Sequence, residues 1–182
     1  PYRIDTSLET KSTVPDLTWL YRGDCVLHLG VGNLFIIAGQ SNSAGYSRDF
    51  CIDPPSMDVH LYRNRSKWDI ASHPMNESTF AGSLANEEMG VPGVSPYLAF
   101  GKTYGKMTGM PVGLIQTSLG GSPMERWNPK DGDLYLNMLD KIHQTGGKYA
   151  GVLWYQGCSD TNPGPAEKYL EHFREYVEAT RK

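Results

Sequence analysis

A serine hydroxyl becomes a useful nucleophile when a tight turn exposes it beside amide N–H groups that can hold an oxyanion. Three segments of this 182-residue chain supply such parts. Gly39-Gln40-Ser41-Asn42-Ser43-Ala44-Gly45 sets two serines between glycines, Ser118-Leu119-Gly120-Gly121-Ser122 carries a glycine pair, and Gln156-Gly157-Cys158-Ser159-Asp160 opens on a side-chain amide. Together they suggest acyl transfer: Ser41 attacks, and backbone N–H groups with the Gln156 amide stabilise the tetrahedral intermediate. The glycine pair lets backbone approach a substrate closely. Taken singly, each segment has a plainer reading. Ser41 or Ser43 could cap the helix that follows, Gly120-Gly121 could be a turn, and Gln156 could satisfy loop backbone.

What favours chemistry is where the segments stand. Each follows a short apolar run: Leu34 to Ala38, Pro111 to Thr117, and Ala150 to Tyr155. These runs are continuous rather than alternating, as in parallel strands covered on both faces, and predict three buried strands. Helical patterns separate them, at about Ser95 to Met107, at Leu134 to Gln144 (where Leu134, Met138 and Ile142 recur every four residues), and after Asn162-Pro163-Gly164-Pro165. Strands alternating with helices imply an α/β protein with a parallel sheet. Working surfaces of such sheets lie at the carboxyl ends of the strands, where the three segments fall. Residues 1–22 read as an approach segment of loops and edge strands. Residues 50–94 read as a loop-heavy insertion around a strand at Val59-His60-Leu61-Tyr62.

The runs Ile36-Ile37-Ala38-Gly39-Gln40-Ser41-Asn42-Ser43-Ala44-Gly45, Val112-Gly113-Leu114-Ile115 leading to Gly120-Gly121-Ser122 and Trp127, and Trp154-Tyr155-Gln156-Gly157 resemble the SGNH hydrolase superfamily. Within it, the similarity is to the branch of sialate O-acetylesterases and acetylxylan esterases, over about residues 31–182. The resemblance implies a three-layer α/β/α sandwich of flavodoxin-like type. It also implies a cofactor-free carbohydrate esterase that removes O-acetyl groups, and an extracellular or periplasmic location. By the same resemblance Ser41 is the nucleophile, and its amide, Gly121 (or Gly120) and Gln156 form the oxyanion hole. Residues 1–30 resemble the tail of a β-sandwich module that precedes the catalytic domain.

Two departures stand out. Cys158 occupies the place where many members have Glu, and the family's C-terminal Asp-x-x-His block, which carries the general base, has no counterpart. Of His28, His60, His73, His143 and His172 only His143 has an Asp three residues before it, Asp140, and that pair falls inside the helical pattern of Leu134 to Gln144. The expectation is therefore an N-terminal part of a longer catalytic domain, inactive alone, whose sheet edge is covered by a further segment or another chain. The alternative is a non-catalytic carbohydrate-binding or scaffold module that keeps the SGNH fold.

The remaining features narrow the class. Net charge is −3 with no basic block, which leaves nucleic acid without an electrostatic footprint. No apolar run approaches the roughly 18 residues of a membrane span. No Lys-Ser or Lys-Thr follows the first glycine turn, so phosphate binding is not expected. Three scattered cysteines exclude a disulfide framework or a Cys-based zinc site, though a single bridge stays open. Cys158 reads as a small buried thiol. Glu87 and Glu88 read as a solvated face, His143 and His172 as exposed helix residues, and His60 and His73 as candidates to line the cleft. The sequons at Asn64 and Asn76 decide nothing by themselves.

Overall fold

The computed structural model describes residues 2–11, 18–78, 83–146 and 148–181. Two long strands, β1 (Tyr2–Lys11) and β2 (Thr18–Leu29), pair antiparallel as a sheet of their own. The approach segment expected over residues 1–22 as loops and edge strands is thus largely strand, with residues 12–17 outside the described ones. Tyr2, Ile4, Leu8, Val26 and Leu27 are exposed on this hairpin. The sequence alternates there without a clear period, and the hairpin's described side chains are exposed or only half-buried.

Apolar runs without polar alternation are stable only where both faces of a strand are covered. Strands β3 (Asn33–Gly39), β4 (Val59–Tyr62), β5 (Trp68–Ile70), β6 (Val112–Gln116) and β7 (Gly151–Tyr155) form one sheet in the order β5-β4-β6-β3-β7. All pairs are parallel except that of β5. The helices are α1 (Ser41–Ala44), α2 (Tyr97–Thr108), α3 (Asp133–Gln144) and α4 (Pro163–Thr180). The two-residue period of β3 divides the core. Phe35 and Ile37 pack with Val59, Leu61, Leu98 and Leu114 on the α2 side, while Ile36 and Ala38 pack with Ile115, Trp127, Leu134, Met138 and Tyr176 on the side of α3 and α4. The result is the expected three-layer α/β/α sandwich.

Two of the three predicted strands are buried as expected. The third is not: β7 is an edge strand, its residues half-buried and Tyr155 exposed. Chain winding explains the placement. From β3 the chain runs to β4 and β5, returns through α2 to β6, then crosses by α3 to the opposite side of β3. That reversal makes the carboxyl end of β3 the topological switch point, where open α/β sheets bind ligands.

Residues 50–94 form the expected loop-heavy stretch around β4, of which 79–82 lie outside the described residues. No helix is long and apolar enough to cross a membrane among the described residues.

Candidate active site

At the end of β3 the backbone turns at Gly39, whose φ of 124° suits only glycine. A Cβ there would stand 2.3 Å from Tyr155 O. Gln40 caps α1 and Ser41 is its first residue. The two serines of the turn are used differently. Ser43 is fully buried, donates to Ala38 O (2.9 Å) and shares a hydrogen bond with Tyr97 OH (2.8 Å). Ser41 Oγ has no hydrogen-bond partner among the described residues and is partly exposed. Ser43 is thus a fastening of the turn and Ser41 its free hydroxyl. Neither serine is the cap, which corrects that plainer reading.

The three loops are tied to one another. Leu119 N donates to Gly39 O at 3.1 Å, and Ser122 Oγ to the same oxygen at 3.3 Å, joining the second loop to the first. Gln40 Oε1 accepts from Gly157 N (3.0 Å) and Ser159 N (3.2 Å), joining the third to the first. Gln156 Nε2 donates to Ser122 O (3.0 Å), joining the third to the second. Ser41, Gly121 and Gln156, read separately from the sequence, belong to one hydrogen-bonded cluster of loops.

The glycine pair divides its labour. Gly120 N–H is spent on Glu88 Oε1 at 2.8 Å. Gly121 is exposed, turns at φ 70°, and its N–H has no partner among the described residues. Of the two glycine amides, that of Gly121 is the free one. Gln156 is more committed than expected: its Nε2 donates to Ser122 O and to Asp160 Oδ2 (2.5 Å), while its Oε1 is buried without a partner. It must give up one of these bonds to reach an oxyanion. Asp160, itself buried, also accepts from Met124 N.

Several expectations need correction. Glu88 is not a solvated residue but 3% exposed, accepting also from Tyr46 OH (2.5 Å) and Asn76 Nδ2 (2.7 Å). Burial, then the bond to Glu88, pushes the Tyr46 phenol up to about 12, so it stays a donor. Cys158 is exposed rather than buried, because the turn after Gly157 leaves it outside the sheet edge, and all three cysteines are free. His172 is partly buried on α4, whereas His143 is exposed as expected. Asn64 and Asn76 are fully buried, which removes both sequons from the folded surface.

His60 lies on β4 near its start and lines a cavity of about 460 Å³ with Gly30, Pro111 and Trp68, at the opposite end of the sheet from Ser41. His73 Nε2 bonds Asp53 Oδ2 at 3.0 Å, and Lys102 holds the other carboxylate oxygen. Burial raises the Asp53 carboxyl, but the bonds from Lys102 and His73 outweigh it and hold it below the usual range. Asp53, not His73, lines a second cavity of about 490 Å³ with Asn42, Tyr46 and Tyr155. Among the described residues no histidine bonds Ser41 Oγ, and no group of His, Cys, Asp and Glu could hold a metal ion.

Sequence reasoning missed Gln40, Glu88, Asp160 and Lys141. Lys141 had a readable signal, since it continues the apolar stripe of Leu134 and Met138 at the next helical position. It is 2% exposed and donates to Asn64 Oδ1 (2.7 Å), Asn86 Oδ1 (3.2 Å) and Gln116 O (2.6 Å).

Comparison with known proteins agrees with this architecture. A probable carbohydrate esterase of Arabidopsis thaliana is 26% identical, over 70% of this chain and 54% of that protein, so the chain spans about half the length of this curated relative. A solved structure of an Arabidopsis thaliana protein superposes with a TM-score of 0.71 at 23% identity, covering 82% of this chain and 68% of that one. The structure of NanS gives 0.63 at 16% identity, covering 82% and 61%. These structural likenesses bear on the fold. Residues 31–182 match the family described as "Carbohydrate esterase, sialic acid-specific acetylesterase". With the loop motifs and the sandwich in agreement, the chain belongs to that family of carbohydrate esterases.

Proposed function

We propose that this chain carries the nucleophile and oxyanion hole of a carbohydrate O-acetylesterase. The observation that supports it best is the contrast at the end of β3: Ser43 is fastened by buried hydrogen bonds, while Ser41 is left free beside loops that hold an unspent amide at Gly121. Ser41 Oγ attacks the acetyl carbonyl of an acetylated sugar. The negative charge formed on the carbonyl oxygen is received by the N–H groups of Ser41 and Gly121, joined by Gln156 once its amide releases Ser122 O or Asp160. Collapse expels the sugar hydroxyl and leaves an acetyl-serine, which water cleaves to acetate. Each half-reaction needs a base oriented within hydrogen-bond reach of the serine or the water. No described histidine supplies it, so the base comes from a segment or second chain against the open edge of β7.

The same absence of a base favours a second reading, a module that binds acetylated carbohydrate without cleaving it. A serine-reactive phosphonate and an aryl acetate distinguish the two. The full-length protein should hydrolyse the acetate and be labelled at Ser41, whereas residues 1–182 alone should show no Ser41-dependent turnover. Labelling at Ser43 or Cys158, or a full-length protein without Ser41-dependent hydrolysis, overturns the esterase reading.

A further inference from the structure

A buried carboxylate is costly unless donors fill its lone pairs, so the groups that fill them tell what it holds in place. The two oxygens of Glu88 accept from three separate segments. Tyr46 lies just beyond the nucleophile turn, Gly120 N–H begins the turn that presents Gly121, and Asn76 Nδ2 donates at once to Glu88 and to Ser118 O (3.1 Å) in the same loop. No ion pair reaches Glu88 among the described residues. Compensation runs instead through amides: Lys141 Nζ donates to Asn64 Oδ1, Asn64 Nδ2 to Asn76 Oδ1, and Asn76 Nδ2 to Glu88. Every donor in this series points from the lysine toward the carboxylate, an order in which each bond polarises the next.

Packing holds the flanks of the turn that Glu88 grips, at Leu119 and Ser122, but not the glycine pair between them. Gly121 is exposed, and no atom lies within 4 Å of the place its Cβ would take. At Gly120 a Cβ would meet Glu88 Oε2 and Tyr46 OH at 2.9 Å, so carboxylate and phenol lie directly against the backbone there. Hydrogen bonds do what side-chain contacts do elsewhere.

We propose that Glu88 is a positioning residue: by clamping the Gly120 amide and the Tyr46 hydroxyl together, it sets the distance between the Ser41 turn and the Gly121 N–H that receives the oxyanion. The inference rests on the roles of Ser41 and Gly121 proposed above. Glu88 touches no substrate. It acts through the turn, and its effect belongs to the transition state rather than to substrate binding.

The test uses the full-length protein, an aryl acetate, and amide hydrogen exchange at Gly120. Glu88→Ala should lower kcat by about tenfold or more, with KM within about threefold, because a misplaced donor costs rate rather than affinity. Glu88→Gln can still accept from Gly120 and Asn76 at one atom and donate to Tyr46 at the other, and should stay within about threefold of the parent. Gly120 exchange should accelerate at least about tenfold in Glu88→Ala and remain slow in Glu88→Gln. A Glu88→Ala kcat within about threefold of the parent, or a Glu88→Gln as impaired as Glu88→Ala, overturns the proposal. If Glu88→Ala does not fold, Tyr46→Phe decides: a loss of kcat at constant KM supports the clamp, and unchanged kcat overturns it. Failure of the parent to show Ser41-dependent turnover defeats the esterase reading instead. Gly120 exchange then tests the clamp alone, and equal exchange in all variants overturns it.

Discussion

Strand β3, which leads into the Ser41 turn, has two unlike neighbours. On one side β6 is buried at all five residues, and the loop that follows is fixed by Gly39 O, Glu88 and Asn76. On the other, β7 is half-buried, ends on a Tyr155 that is 50% exposed, and borders with α4 a cavity of about 770 Å³ lined by Tyr149, Trp154 and Phe173. A parallel strand with one bare edge leaves N–H and C=O groups unpaired and available to another strand. The difference teaches how the site is divided. In the proposed esterase the Gly121 amide comes from the buried side and the Gln156 amide from the half-buried one, and the described residues of neither side bring a histidine to Ser41 Oγ.

The largest effect expected is that of the hydroxyl between the two sides. Ser41→Ala in the full-length protein should cut aryl-acetate turnover by about 10⁴-fold or more, as loss of a nucleophile does in serine hydrolases. Retention of a tenth of the activity would place the chemistry elsewhere. Gln156 bridges the two sides, so its substitution sharpens the contrast: Gln156→Ala should cost about 10² in kcat if its amide joins the oxyanion hole. A loss below about threefold would leave it a loop tie only.

The stability of the two flanks can be compared directly in residues 1–182. Leu114→Ala on β6 removes a fully buried side chain and should cost ~3 kcal/mol, and Leu153→Ala on the half-buried β7 nearer ~1 kcal/mol. Equal losses in urea denaturation would mean that something already covers β7. A last test concerns the lysine behind the buried side. Burial pushes the Lys141 ammonium down from 10.5 to about 7. Because its folded value lies below its unfolded one, the unfolded chain binds more protons between these limits. Stability should therefore rise with pH from about 7 to 10.5, by at most ~1.4 kcal/mol per unit. Lys141→Met should remove that slope. An identical pH dependence in the variant would show that Lys141 keeps its ordinary affinity for protons.

Much of this was legible beforehand. Leu34 to Ala38 is continuous and apolar, and it became β3, paired with a strand on each side. Leu134, Met138 and Ile142 announced α3, and the glycines about Ser41 announced the turn. Glu88 was not legible, because beside Glu87 it shows only an acidic pair. Nor was the exposure of Cys158, which depends on how the chain leaves Gly157. Gln156 was recognised as a side chain at a strand end, but its bonds to Ser122 O and Asp160 were invisible.

Sequence alone determined the elements and the residue types at their ends, since burial on an element's own faces is written in local periodicity and a tight turn in local glycine. Tertiary structure decided which amides remain free. That outcome turns on partners far apart in the chain, with Glu88 and Gly120 separated by 32 residues and Lys141 and Asn64 by 77. Such contacts form only when packing of the sheet and its helices brings loops together, and a donor's state depends on whichever acceptor packing has placed beside it.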